Sequence, residues 1–361
     1  HTALDQPLEI REDVEVSPPQ AGELQIRMVA SGVCHSDLSV QNGTIPLAPP
    51  MVLGHEGAGM VEVVGPGVEG FEPGDHVVLT WVPECGECFF CRRDQGYMCE
   101  KANAQIMGGL LDGTTRLTSG GLPLRQMALC GTFSERAVVP AICAVKIDRD
   151  IPLASAALLG CAVLTGVGAA VNTASIRSGD TVAVIGCGGV GLNVIQGARI
   201  AGAERIIAVD MVASKLELAS RFGATDLVDA TSGSPVSKVQ SLTEERGVDV
   251  AFEVIGLKAP MEQALQMTRR GGETVFVGLP RLDLTLEISP AYALIYTGRS
   301  IKGCWYGSAN VNREIPRLLD LYRSGDLLLD ELISRRIGLD SVNEAFDAIR
   351  AGQVARSVIE F

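Results

Sequence analysis

Polar and apolar residues alternate along Glu23-Leu24-Gln25-Ile26-Arg27-Met28-Val29. A period of two predicts a strand with one buried face. Residues 57–64 and 75–79 read the same way, with Gly65-Pro66-Gly67 and Pro73-Gly74-Asp75 as turns between them. Short strands at this spacing predict a compact, barrel-like β domain. The chain is expected to begin partway into a first strand. Its opening, His1-Thr2-Ala3-Leu4-Asp5, lacks the basic start and apolar core of a signal peptide.

Near residue 163 the pattern changes. Thr181-Val182-Ala183-Val184-Ile185 is a continuous apolar run, followed by Gly186-Cys187-Gly188-Gly189-Val190-Gly191 and a helical stretch to Arg199. Further strands are predicted at 205–210, 226–228, 248–253 and 273–277, with a helix at 214–222. This alternation predicts an α/β fold whose parallel sheet is covered on both faces. The tail reads as two helices, 313–324 and 342–350, and a closing apolar strand, 357–361. The expected division is one domain from 1–162 with 306–361 and a second from 163–305. The stretch 100–131 is expected to be a long loop, and loops of that length are usually functional.

Composition narrows the function. A chain of 361 residues exceeds one ordinary core. The formal net charge of −13 repels phosphate backbones and argues against nucleic acid as a partner. No uncharged apolar run reaches about 18 residues, so no membrane span is expected. A cytoplasmic enzyme is the resulting expectation. Of ten cysteines, four crowd into one segment and six are scattered. Without an export signal, metal binding is a better reading than disulfides.

Gly186-x-Gly188-x-x-Gly191 stands between a predicted strand and a predicted helix, the context that gives a short glycine motif its meaning. The glycines permit a sharp turn, a close approach to a pyrophosphate and tight helix packing. Asp210 ends the next strand, where a carboxylate would accept from a ribose diol and repel a 2′-phosphate, so NAD is preferred to NADP. The plain alternative is a tight turn with Asp210 as a helix cap. Cys85-x-x-Cys88-x-x-Cys91 with Cys99 has the spacing of a closed four-thiolate zinc site of structural type. An iron–sulfur cluster and four unliganded thiols are the rivals.

Cys34, His55 and Cys161 stand far apart, and spacing alone does not bring them together. The segments around them resemble those of the zinc-containing medium-chain alcohol dehydrogenase family, over nearly the whole length and in family order. These are Gly32-Val33-Cys34-His35-Ser36-Asp37, Gly54-His55-Glu56-Gly57, the cysteine knuckle, Gly131-Thr132-Phe133-Ser134-Glu135, Leu159-Gly160-Cys161 and the glycine loop. The resemblance implies a GroES-like, partly open β-barrel catalytic domain and a Rossmann coenzyme domain. It also implies two Zn2+ per chain, with Cys34, His55 and Cys161 as the catalytic ligands; alcohol dehydrogenase is the standard example of this two-cysteine, one-histidine set. Glu56 would approach the metal transiently, and Asp37 would orient His55. Ser36 would relay the proton as zinc lowers the alcohol pKa and hydride passes to NAD. For the cofactor the resemblance implies His35 and Arg356 at the pyrophosphate and Lys215 with Asp210 near the adenosine ribose. Thr165 would lie by the nicotinamide, and Gly189, Val190 and Val277 would complete the cofactor set. Ser39 stands where some members end the relay with histidine.

Family positions place Ser36, Ile45, Trp81, Cys304 and Tyr306 around the substrate, expected to be a neutral, fairly apolar and possibly aromatic primary alcohol or its aldehyde. For Trp81 the alternative is core packing at a strand end. The long loop resembles that of the liver and thiol-dependent formaldehyde branches. The runner-up function is therefore oxidation of a glutathione or mycothiol adduct. Asn103 replaces an arginine of the glutathione branch. A relative that only binds the cofactor is the remote alternative, since the ligands are all present. A homodimer or homotetramer, joined edge to edge through the coenzyme sheets, is expected.

Overall fold

The computed structural model describes residues 1–353 and 355–361, with side chains except at 104–107. The chain forms two compact units. One is His1–Ala162, Asn310–Gly325 and Leu329–Phe361; the other is Val163–Ala309 with Asp326–Leu328. The expected boundary at 305 is thus moved, and packing gives the reason. Gly307 lies so close to the helix Ala162–Gly168 that a Cβ on Gly168 would fall 2.4 Å from its carbonyl oxygen. Asn172 Nδ2 donates to the same carbonyl (3.2 Å). Leu328 is held in both directions by Gln196, at 2.7 and 3.1 Å.

In the first unit the strand Glu23–Val33 is the axis. It pairs antiparallel with Glu56–Val64, Arg136–Pro140 and Arg356–Glu360. Glu56–Val64 continues to His76–Leu79, and that strand to Ala144–Ile147. Leu24, Ile26 and Met28 point into a core with Val61, Val77, Leu79 and Val139, as the period of two requires. The axis strand runs past the alternating stretch because Ala30, Ser31, Gly32 and Val33 are all buried. Burial on both faces erases alternation. This extension carries the chain directly to Cys34.

Two expectations are corrected here. The first strand is Val14–Val16, and residues 1–13 carry none. There, Arg11 pairs with Glu9 and Asp13 at the surface instead. The stretch 100–131 is not a plain loop. It holds the 3-10 helix Glu100–Met107 and the hairpin Leu117–Ser119 with Leu122–Gln126, which joins Val14–Val16 and Met51–Val52 in a small sheet. The tail helices are Val311–Arg323 and Val342–Arg350. Each buries one stripe, such as Ile315, Leu318 and Leu319 in the first.

The second unit is a parallel sheet. Among the described residues its order is Asp226–Asp229, Arg205–Asp210, Thr181–Ile185, Val248–Glu253, Thr268–Phe276, Ser300–Gly303. Helices Gly189–Ile200 and Ala213–Arg221 connect the first strands, as read from the sequence. Pro235–Leu242 and Lys258–Met267 are further helices that the hydrophobic pattern did not reveal. The strand order reverses at Thr181–Ile185, and ligands of such sheets bind at that switch point, beyond the carboxyl ends. No single helix among the described residues is long and apolar enough to cross a membrane.

Candidate active site and metal centres

Strand pairing assembles the buried site of the first unit. Gly32 is registered with Glu56, and Ser357 with Val33. The ends of three strands therefore bring Cys34, His55-Glu56 and Arg356 to one place. Cys34 caps the helix His35–Gln41, and Asp37 in its first turn folds back, so that Cys34 N donates to Asp37 Oδ2 (2.8 Å). Asp37 Oδ1 accepts from Gly54 N (3.1 Å) and from His55 Nδ1 (2.9 Å). A carboxylate can only accept, so the proton of His55 is at Nδ1 and the free lone pair is at Nε2. That Nε2 is buried and has no protein partner.

The ligand atoms of Cys34, His55, Glu56 and Cys161 lie within 4.8 Å of one another, all buried. An orphaned imidazole nitrogen facing two thiols is a donor set that suits zinc. Of the thiols, Cys34 is the more acidic. The hydrogen bond with Cys161 and the charges of Arg356 and His55 bring it well below its ordinary value, while that same bond and burial push Cys161 up. Burial pushes the Glu56 carboxyl up to about 7, with Arg356 pulling the other way.

The Arg356 guanidinium is buried, and Nη2 donates to Glu56 Oε1 (3.0 Å) and Cys34 Sγ (3.4 Å). A carboxylate buried beside thiols demands a cation, and Arg356 meets that demand. His35 is exposed and Ser39 buried. Ser36 is half-buried, with Oγ 3.8 Å from Cys34 Sγ. Ile45 and Trp81 pack, half-buried, on a cluster containing Val33, Leu38, Leu53 and Phe133. Trp81 also reaches the sheet core, which is the packing expected at a strand end.

The second metal set is Cys85, Cys88, Cys91 and Cys99, with sulfurs within 4.8 Å of one another. Tetrahedral zinc with bonds of about 2.3 Å requires sulfurs about 3.8 Å apart. Cys85 Sγ and Cys91 Sγ are 3.9 Å apart. Although burial works the other way, backbone N–H groups of Cys91 and Glu100 help to bring the Cys88 thiol down to about 6. The lobe is tied to the first tail helix. Asn310 accepts from Gly96 N (2.7 Å) and donates to Asp94 O (3.2 Å), and Arg313 pairs with Asp94 (2.8 Å).

In the second unit Gly186 has φ +98°, and a Cβ on Gly191 would fall 1.8 Å from Gly186 O. Both positions therefore require glycine. Beyond Gly188 a Cβ would meet nothing within 4 Å. Open space at the N-terminus of the helix Gly189–Ile200, which Gly189, Val190 and Gly191 begin, suits a pyrophosphate. Asp210 accepts from Cys187 N (2.8 Å) and Val212 N (2.9 Å), which fixes its carboxylate at the strand end. Lys215 is half-buried on the next helix. Thr165 Oγ1 is buried without a partner. Val277 N donates to Glu253 O (2.8 Å).

Glu253 escaped the sequence reading. It is fully buried, Oε1 accepts from Ile255 N and Gly256 N, and burial raises its pKa. An acid closing the run Val250-Ala251-Phe252 was the available signal. Cys304 Sγ accepts from Thr173 Oγ1 (3.3 Å). Tyr306 is only 2% exposed, whereas Trp305 beside it is 39% exposed. Of that pair the structure offers Trp305, not Tyr306, at the surface.

Residues 20–149 match the alcohol dehydrogenase GroES-like domain, and residues 189–324 match the zinc-binding dehydrogenase domain. The S-(hydroxymethyl)glutathione dehydrogenase of Escherichia coli O1:K1 is 41% identical over 363 residues, 99% of this chain and 98% of that protein. This chain belongs to the zinc-containing medium-chain alcohol dehydrogenase family. The fold agrees with solved structures of the family. An alcohol dehydrogenase zinc-binding domain protein from Burkholderia ambifaria superposes with a TM-score of 0.93 at 35% identity, covering 100% of this chain and 97% of that one. Benzyl alcohol dehydrogenase from Acinetobacter calcoaceticus gives 0.90 at 31%, covering 96% and 94%. The enzyme is accordingly a zinc- and NAD-dependent oxidoreductase of GroES-like and Rossmann architecture, acting on a small molecule.

Proposed function

We propose that Cys34, His55 and Cys161 hold the catalytic zinc, that the Cys85–Cys88–Cys91–Cys99 set holds a structural one, and that the substrate is a neutral, apolar primary alcohol or its aldehyde. The observation that carries the reading is the buried His55 Nε2 facing two thiols, with Asp37 behind the ring. Zinc supplies Lewis acidity that lowers an alcohol pKa, and NAD accepts the hydride. The chain's residues do the rest. Asp37 keeps the His55 tautomer that leaves Nε2 free. The Ser36 hydroxyl, close to Cys34, accepts the alcohol proton and passes its own outward. Arg356 neutralises Glu56. Gly188 leaves room for the pyrophosphate and Asp210 takes the ribose diol.

Ile45 and Trp81 supply half-buried apolar surface beside the first unit's site, which favours an apolar or aromatic alcohol. The likeness to a benzyl alcohol dehydrogenase supports the same class. A thiol adduct of formaldehyde is the second reading, favoured by the relative that acts on S-(hydroxymethyl)glutathione. Against a glutathione carboxylate stands Asn103, exposed and neutral; mycothiol is not disfavoured by it. The deciding experiment is NAD reduction with benzyl alcohol, short primary alcohols, and formaldehyde with or without glutathione or mycothiol. Benzyl alcohol should give the highest kcat/KM. Turnover of formaldehyde that appears only with a thiol, and exceeds every free alcohol, would replace the first reading with the second.

The edge strand Ser300–Gly303 and the nearby exposed Leu282, Tyr292, Ile295 and Tyr296 favour a homodimer or homotetramer paired through this edge. Ten free cysteines, six of them committed to metal in this reading, suit the reducing cytoplasm.

A further inference from the structure

The segment Gly131-Thr132-Phe133 contributes no ligand to the site just described, yet it lies against the backbone that carries His55. Phe133 N donates to Leu53 O (2.9 Å) and Thr132 N to Gly54 O (3.0 Å). On the other side of His55, Ser31 Oγ donates to Glu56 O (3.0 Å), and Ser31 Oγ and Thr132 Oγ1 are 2.6 Å apart. Both side chains are fully buried. A hydroxyl has one proton to give. The Glu56 carbonyl can only accept, so the Ser31 proton goes there, and Thr132 must donate to Ser31. Bonds from Thr132 therefore reach the carbonyl before His55 directly and the carbonyl after it through Ser31.

Shape reinforces the bonds. A Cβ on Gly54 would fall 2.4 Å from Thr132 Oγ1, and one on Gly57 would fall 2.6 Å from Thr132 Cγ2. Thr132 thus fills the space that these two glycines leave. The segment that carries Thr132 is bridged by Gln126, buried, whose Nε2 donates to Leu129 O and Val138 O at 2.9 Å each. Asp37 supplies the last contact, through Gly54 N and the His55 ring.

We propose that Thr132 is a positioning residue for the metal ligand His55, acting through Ser31 and the backbone on either side of the histidine. The proposal rests on Cys34, His55 and Cys161 being the catalytic ligands. Groups behind a ligand set metal affinity on a scale of about 10–100-fold.

The test uses the full chain loaded with zinc. Release to a coloured chelator is followed for both ions, and the absorption spectrum is recorded with cobalt in the catalytic position. Thr132→Val, which keeps the shape and removes the hydroxyl, should speed release of the catalytic ion about 10-fold or more. It should also shift the cobalt bands and leave the cysteine-knuckle ion unchanged. Thr132→Ser should restore the original rate and spectrum. An unchanged rate and spectrum in Thr132→Val overturns the proposal, as does equal acceleration of both ions, which would mean general loosening. If Thr132→Val does not fold, Ser31→Ala removes the bond to Glu56 O and is read the same way, and release at the original rate overturns the proposal. An unaltered protein that binds only one zinc would instead overturn the ligand assignment itself.

Discussion

The two metal centres of this dehydrogenase are built by opposite routes. The cysteine knuckle draws its donors from the single segment 85–99, and three of its four thiols are only half-buried. The set we propose as catalytic draws Cys34, His55 and Cys161 from three distant places and buries every donor, with a carboxylate and an arginine enclosed beside them. Four thiolates close one centre to further ligands, whereas two thiols and one imidazole leave the other a position for substrate. A local loop suffices when the ion's task is to brace a lobe. A reactive centre needs a rigid frame, and here three paired strands and the helix His35–Gln41 supply it.

Separate damage to each centre tests this contrast most strongly. His55→Ala should lower kcat/KM at least about 1,000-fold, because the ion that polarises the alcohol is lost. The purified variant should carry one zinc by elemental analysis. Cys85→Ser should also carry one zinc, but its main effect should be a loss of stability on the order of a few kcal/mol, read as a lower thermal midpoint. If Cys85→Ser proves as inactive as His55→Ala while still folded, the division of labour is wrong.

Within the open centre, Ser36→Ala should slow single-turnover NADH formation roughly 100-fold, the usual scale for a proton relay. Zinc content and NAD affinity should be unchanged, and Ser36→Thr should keep most of the rate. Product release can mask this effect in the steady state, so the single turnover is the quantity to compare. An unchanged rate in Ser36→Ala would mean that the proton leaves by another route.

The smallest expected effect lies in the second unit, whose glycine loop is encoded locally, as the knuckle is. Asp210 faces the cofactor ribose in this reading, so NAD should be preferred to NADP by at least about tenfold, a cost on the order of 1–3 kcal/mol for a carboxylate beside a 2′-phosphate. Asp210→Gly should erode that preference in measured kcat/KM values. Equal use of both cofactors by the unaltered enzyme would refute the assignment.

What the sequence determined by itself is what short stretches can encode. The knuckle spacing, the Gly186–Gly191 loop between a strand and a helix, and Asp210 at the next strand end were all legible, because each arrangement arises from neighbours in the chain. Strands with one buried face were legible for the same reason, since alternation records the burial. The tertiary structure alone decided the rest. The axis strand reaches Val33 through residues buried on both faces, where no alternation is left to read. Arg356 is bonded to Glu56, because the pairing of Ser357 with Val33 and of Gly32 with Glu56 brings them together. The hydroxyls of Ser31 and Thr132 meet behind His55 although they are 101 positions apart. Buried polar groups must find partners wherever the fold places them, and no local pattern announces which partners those will be.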